Sequence, residues 1–310
     1  MTEGRARTVF IGSGGFGRET LWRLADHPDV ELVGVVTAPP RPAGRGGRTA
    51  VTPIHEAARH LDVRRILTPA RLREPAALDE VLGLAPELLV LADYGQIVPA
   101  ALLEVPHGAL NLHPSLLPRY RGATPIPAAI LAGDRETGVT LMRMDAGLDT
   151  GPIVAQTRVP LTGDESTPLL EETLEVEAAA LLTRYLGPWL RGKITATPQP
   201  EDGASMTRPL RREDGRLDPA RSGAELERQV RAYQPWPGSF VDTDAGRLIV
   251  WRAELEDEGP PPGVFDEGGI GTGDGSRLRI REVQPAGRDR MSWDAYLRGR
   301  PAIVGSSIVR

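Results

Sequence analysis

A chain of 310 residues is long enough for one large or two ordinary domains with a substantial core, and 40% apolar with 25% charged residues excludes a disordered polymer. The absence of cysteine excludes disulfides, a thiolate zinc site, an iron-sulfur cluster and a cysteine nucleophile, and five histidines leave little for metal chemistry, so no metal is expected. A net charge of −5 argues against a surface that embraces nucleic acid as a whole, yet residues 208–310 carry 17 basic and 17 acidic side chains, so the deficit lies in the first two thirds.

Every basic residue but Lys193 is arginine, the side chain that grips phosphates bidentately; GC-rich coding explains the same excess. No apolar run approaches the roughly 18 residues of a membrane span, and the opening "MTEGRARTVFIG" lacks a signal peptide's apolar region. A cytoplasmic protein with no membrane contact is expected.

In chain order, short apolar runs alternate with helical patterns, the signature of a mostly parallel sheet covered on both faces. "ARTVFIG" (6–12) predicts a strand, "GRETLWRLADH" a helix, "VELVGVVT" a strand and "TPIHEAARHL" a helix. "EPAALDEVLGL" is a helix before the strand "PELLVLA", and "HGALNLH" and "TGVTLMRM" are strands on either side of a short helix, "TPIPAAILAG". A long helix over 167–190, with Ser166 or Thr167 as N-cap, leads into the polar, unpatterned "RGKITATPQPEDGAS", which reads as a linker. Beyond about Arg208, one helix ("GAELERQVRAY") precedes apolar and polar alternation between Gly-rich turns, which predicts a small antiparallel barrel. The expected fold class is α/β, a doubly wound Rossmann-like domain over 1–190, a linker over 191–207 and an OB-like antiparallel β-barrel over 208–310.

Three motifs carry chemistry. "GSGGFG", with Gly12, Gly14 and Gly17, has the spacing of a dinucleotide turn, but the second strand ends in Thr37, Ala38 and two prolines, without the acid that holds a ribose. It is either a tight turn that needs glycine or a turn for another anion. "RPAGRGGR" (41–48) places Arg41, Arg45 and Arg48 on a glycine-rich loop after the second strand, open to two readings: a solvated connection or a grip on a phosphate backbone. Asn111 and His113, two apart at a strand end, point to one face, and Asp149 follows a later strand in a Gly-flanked turn. An imidazole, a carboxamide and a carboxylate can stabilise an oxyanion and move one proton without a metal, although a strand-end histidine can equally be structural.

"NLHPSLLPRYRGATP" with "TGVTLMRMDAGLDTGPI" resembles the signature of the folate-dependent formyltransferases. The resemblance implies a doubly wound domain that takes 10-formyltetrahydrofolate as co-substrate, with Asn111 and His113 binding the oxyanion of a tetrahedral intermediate and Asp149 assisting His113. It implies further that Tyr94, Gly95, Gln96, Ile97 and Val98, with Asp145 and Gly147, hold the pterin, and that Ser115, Leu116, Leu117 and Pro118 wall the site. Within the family the likeness is to members that act on charged initiator tRNA, because "RPAGRGGR" looks like their tRNA-binding loop and "RAYQPWPGSF" looks like part of their C-terminal domain. Arg41, Arg45 and Arg48 are then expected on the tRNA acceptor end, and a monomer is expected. Two departures stand out: the loop has Gly46, Gly47 and Arg48 where lysines are usual, and Asp93 stands where an apolar or small residue is common. A sugar-nucleotide N-formyltransferase, which needs no arginine loop, is the alternative; an NAD(P)-binding oxidoreductase rests on the glycines alone, and a non-catalytic RNA-binding protein leaves Asn111, His113 and Asp149 unexplained.

Overall fold

A computed structural model describes residues 4–43 and 48–309. In chain order the elements are β1 (Ala6–Gly12), α1 (Arg18–Ala25), β2 (Val30–Val36), β3 (Arg41–Ala43), β4 (Arg48–Ala50), α2 (Pro53–His60), β5 (Ile66–Leu67), α3 (Pro75–Leu82) and β6 (Leu88–Ala92). There follow α4 (Ala100–Leu103), β7 (Ala109–His113), β8 (Arg121–Gly122), α5 (Pro125–Ala132), β9 (Glu136–Arg143), β10 (Ile153–Pro160), α6 (Thr167–Leu190) and β11 (Met206–Thr207). The last are α7 (Gly223–Ala232), β12 (Ser239–Thr243), β13 (Gly246–Glu256), β14 (Gly269–Gly271), β15 (Arg277–Pro285), β16 (Met291–Ser292) and α8 (Trp293–Gly299). The chain divides into two compact units: Met1–Pro125 with Glu136–Pro160 and Glu171–Thr207, and Ile126–Arg135 with Leu161–Leu170 and Arg208–Arg310.

The first unit is built on a seven-stranded sheet in the order β10-β9-β7-β6-β1-β2-β5. β7, β6, β1, β2 and β5 are parallel, and β9 runs antiparallel to β7. The apolar runs of β1 and β6 are buried along their length because helices cover both faces; Val9, Ile11, Leu89 and Leu91 share one cluster with Val81 of α3 and Leu102 of α4. Each such side chain contributes about 1.5–3 kcal/mol by leaving water. After β1 the chain winds one way to β2 and β5, then returns to lay β6 on the other side of β1. Ligands of such sheets lie at the carboxyl ends beside this reversal. β10, an antiparallel edge strand on β9, was not among the predicted elements.

Capping follows the sequence. The Thr52 hydroxyl accepts the His55 N–H with Pro53 at the first turn of α2, and Ser222 with Glu225 forms a capping box on α7. Of the two residues expected to cap α6, Ser166 precedes the helix and its carbonyl accepts Leu170 N–H, while Thr167 is the first helical residue and its hydroxyl donates to the Ala232 carbonyl at 2.6 Å. Helix α1 starts only at Arg18, after a single 3-10 turn over Gly15–Gly17.

The second unit carries an antiparallel sheet, β12-β13-β15-β14, with β16 on β15, as the alternating pattern predicts. Among the described residues no continuous ladder closes it into a ring. Single bridges link its edges instead, Asp242 to Val309, Ser307 to Val264 and Phe265 to Ile270. Its core gathers Leu248, Val250, Leu278, Ile280, Phe265 and Trp293. Among the described residues no helix is long and apolar enough to cross a membrane.

Candidate active site

Asn111 and His113 end β7 and lie two residues apart, so the strand's period directs both to one face. His113 is nearly buried, with 7% of its side chain exposed, and Nε2 lies 2.8 Å from the Tyr120 carbonyl. A carbonyl has no proton to give, so Nε2–H donates and the neutral ring keeps its lone pair at Nδ1. Nδ1 lies 3.7 Å from Asp149 Oδ2, whose side chain is 14% exposed. That separation is too long for a hydrogen bond but close enough for the carboxylate to stabilise a proton arriving at Nδ1. The Asn111 carboxamide is half-buried and has no hydrogen-bond partner among the described residues, which leaves its N–H groups for a substrate oxygen.

Asp149 has φ 54°, a left-handed conformation that aspartate tolerates, and its Oδ2 accepts the Gly122 N–H at 2.8 Å. Its turn is also closed by Asp145, whose Oδ1 accepts from Gly147 N (2.9 Å) and the Thr150 hydroxyl (2.8 Å). Gly122 itself sits at φ +101°, and a Cβ there would stand 2.4 Å from the Thr207 carbonyl, so only glycine fits under the paired strand β11. Ser205 extends this hold: its hydroxyl accepts Tyr120 N–H and its carbonyl accepts Arg121 N–H. The segment 191–207, unpatterned in sequence, is therefore fastened to the loop that supplies Tyr120 O and Gly122 N. Sequence reading missed this, along with Thr140, whose buried hydroxyl donates to Ser115 O and accepts from Leu117 N.

The residues expected around a pterin divide by what their side chains already do. Gln96 is engaged inward, accepting Leu72 N–H at 2.8 Å, and Tyr94 and Val98 pack on the β1/β6 core. Gly95 is open and Ile97 is 76% exposed. Burial pushes the Tyr94 phenol up to about 12, so it stays protonated, and its oxygen has no partner among the described residues. Ser115 is buried and donates to Arg119 O, Leu116 is half-buried, Leu117 is buried, and the Pro118 carbonyl accepts Ser205 N–H.

The glycine turn shows a structural use. Although Asp93 as a residue is exposed, its carboxyl lies against Gly14, where a Cβ would stand 1.5 Å from Oδ2; its carbonyl accepts Ser13 N–H. Glu171 Oε1 is 3.3 Å from the Cβ position of Gly15. Desolvation raises the Asp93 carboxyl above the usual range, and it raises Glu171 too, helped by the charges of Asp93 and Glu175. Two acids against these glycines oppose a dinucleotide pyrophosphate there.

The arginine segment is a two-stranded hairpin at its stem, Arg41 opposite Ala50 and Arg48 opposite Ala43. Arg41 is exposed, and Arg45 lies outside the described residues. A hydroxyl contact of 2.6 Å between Thr37 and Thr52 joins the two ends of this excursion.

A partnerless carboxamide beside an imidazole backed by a carboxylate can bind one developing oxyanion and relay one proton. The sequence matches the formyl transferase family over residues 6–186 and the C-terminal domain of formyl transferases over 209–301. The chain belongs to the formyl transferase family. This formyl transferase is 42% identical over 301 residues to the methionyl-tRNA formyltransferase of Roseiflexus sp. strain RS-1, covering 94% of this chain and 92% of that one. It is 43% identical over 311 residues to the methionyl-tRNA formyltransferase of Thermus thermophilus, covering 97% and 99%. Among solved structures, the N-formyltransferase of Helicobacter canadensis, in complex with folinic acid and dTDP-3-aminofucose, aligns at TM-score 0.67 and 18% identity over 88% of this chain and 98% of that one. HypX of Aquifex aeolicus in complex with tetrahydrofolic acid aligns at TM-score 0.65 and 19% identity over 95% of this chain, which spans 47% of HypX. These two likenesses concern the fold.

Proposed function

We propose that this formyl transferase moves the formyl group of 10-formyltetrahydrofolate to the amino group of methionine carried on initiator tRNA, in the cytoplasm, for translation initiation. The observation that carries the chemistry is the 3.7 Å approach of Asp149 Oδ2 to His113 Nδ1, with the Asn111 carboxamide, without a partner among the described residues, two residues before His113 on the same face of β7. The choice of acceptor is supported by likeness along the whole chain to relatives named for methionyl-tRNA, against 18% identity to the sugar N-formyltransferase.

The methionine amine attacks the formyl carbon, one C–N bond forms, the bond to N10 of the folate breaks, and a proton passes from the amine to N10. Asn111 donates to the formyl oxygen as it gains negative charge. His113 takes the amine proton at Nδ1, since Nε2–H is held by Tyr120 O, and returns it to the leaving nitrogen; Asp149 stabilises the imidazolium between the two events. In this reading the donor is held by 94–98, Ser115–Pro118 and the turn of Asp145 and Gly147. Ile97 and Leu148, 76% and 59% exposed on two of these loops, are apolar surfaces suited to a flat heteroaromatic ring. We further propose a catalytic domain over 1–190, a connecting segment over 191–207 and a tRNA-binding domain over 208–310, with Arg41, Arg45 and Arg48 on the acceptor end.

The test is incubation with 10-formyltetrahydrofolate and either charged initiator tRNA or a dTDP-amino sugar. Formylmethionine on the tRNA alone is the expected product; formylation of the sugar alone would overturn the reading.

A further inference from the structure

The geometry points to Gln199 as a positioning residue for Asp149, an inference that rests on the proposed reaction. Its carboxamide Nε2 donates to the carbonyls of Asp149 and Gly151, both at 2.8 Å, and its Oε1 accepts from Arg121 Nε at 3.0 Å and Nη2 at 2.7 Å. One amide thus has both hydrogens and its oxygen engaged, and it joins two segments that are also linked by Gly122 N–H to Asp149 Oδ2. Arg121 immediately precedes Gly122, so Gln199 fixes the donor's strand and the acceptor's turn against each other.

The turn needs such a hold. Asp149 sits at φ 54°, a sparsely populated region that persists only where neighbours over-determine it, and the 3.7 Å between Oδ2 and His113 Nδ1 leaves no direct bond to keep the carboxylate aimed. Asp145 closes the turn from inside, whereas Gln199 ties its carbonyls to the surrounding structure.

Gln199 is not what holds its own segment in place. Thr197 and Ile153 exchange both backbone hydrogen bonds, at 2.7 and 2.8 Å, and Ser205 and Thr207 bind the loop that carries Arg121. Removing the Gln199 amide therefore leaves the segment anchored on both sides and releases the Asp149 turn. The consequence falls on turnover, because Gln199 reaches only Asp149 and Gly151, while the Asp145 hydrogen bonds to Gly147 and Thr150 that shape the donor-side part of the turn stay in place.

The experiment measures single-turnover formylation of charged initiator tRNA by the full chain and by Gln199→Ala, Gln199→Glu, Asp149→Ala and the Gln199→Ala/Asp149→Ala double variant, each checked for cooperative thermal unfolding. Gln199→Glu keeps the acceptor for Arg121 but turns a carboxylate oxygen toward two carbonyls, so it separates loss of the Asp149 contact from loss of the Arg121 contact. Both single changes at Gln199 should lower the rate constant about tenfold to a hundredfold, with the Michaelis constants for folate and tRNA within about threefold. In the Asp149→Ala background, Gln199→Ala should cost less than about twofold more, since nothing is left to aim. An equal loss in both backgrounds, a rise in Michaelis constant without loss of rate, or an unchanged Gln199→Glu rate overturns the inference. A parent chain that leaves the tRNA unformylated overturns the proposed reaction itself, which is a separate and earlier failure.

Discussion

His113 has its two ring nitrogens in different surroundings, one against the Tyr120 carbonyl and one facing Asp149. Replacing it by Ala removes the proton carrier of the proposed reaction and leaves only the oxyanion contact from Asn111, so turnover should fall on the order of 10² to 10⁴ while unfolding stays cooperative; single-turnover rates check this. A rate within about threefold of the parent would reassign His113 to structure. Asp93 offers a test on stability. Its raised carboxyl binds protons more tightly folded than unfolded, so its favourable contribution is present at low pH and is lost as pH climbs from the ordinary carboxyl value of 3.8 through the raised one. Asp93→Asn, at a φ of 51° that asparagine accepts readily, abolishes that penalty and relieves the neighbouring Glu171. Its melting temperature should match the parent's near pH 4 and exceed it increasingly toward pH 7. A constant difference across that range would show that the carboxyl is not what titrates.

At the scale of elements, the excursion 118–124 and strand β11 form one unit. Gly122→Ala places a Cβ 2.4 Å from a backbone oxygen at a positive φ, and neither strain can relax without parting β8 from β11. The change should cost about 1–3 kcal/mol of stability and lower turnover as well, because the Gly122 N–H that holds Asp149 moves with it; chemical denaturation and rates together check this. A stable, fully active variant would show that the two strands are independent of the site. These same elements mark where sequence reading stops. Asn111 and His113 were legible because a strand has a period of two, and β1, β2 and β6 because buried parallel strands are continuous apolar runs. Gln199, Ser205 and Thr207 were not, since their side-chain hydrogen bonds run to irregular segments bent by positive φ at Tyr120, Gly122 and Asp149, and the β8/β11 ladder is only two residues long. The edge strand β10 hid between prolines at 152 and 160, and the stem of the arginine excursion lacks the apolar alternation that announces a hairpin.

The whole molecule carries a net charge of −5, which repels a polyanionic acceptor at long range, so binding of tRNA has to come from local positive groups. Salt then acts twice: it screens the overall repulsion, and it weakens each arginine contact by making counterion release less favourable. The second effect governs the slope of log affinity against log salt, about 0.9 per phosphate contact on a duplex and about 0.7 on single strands. Changing Arg41, Arg45 and Arg48 together to Ala removes the up to three contacts proposed for them and makes the molecule three charges more negative. The specificity constant for charged tRNA should therefore fall, and its salt slope should flatten by about two to three units. Slow transfer to a small uncharged amine tests the origin of the effect, since it needs the folate site and the Asn111, His113 and Asp149 group but no phosphate grip. That rate should be the same in parent and variant at every salt concentration. Loss of both activities together would place the arginines in the stability of the first unit, and an unchanged slope with tRNA would make the excursion a solvated connection.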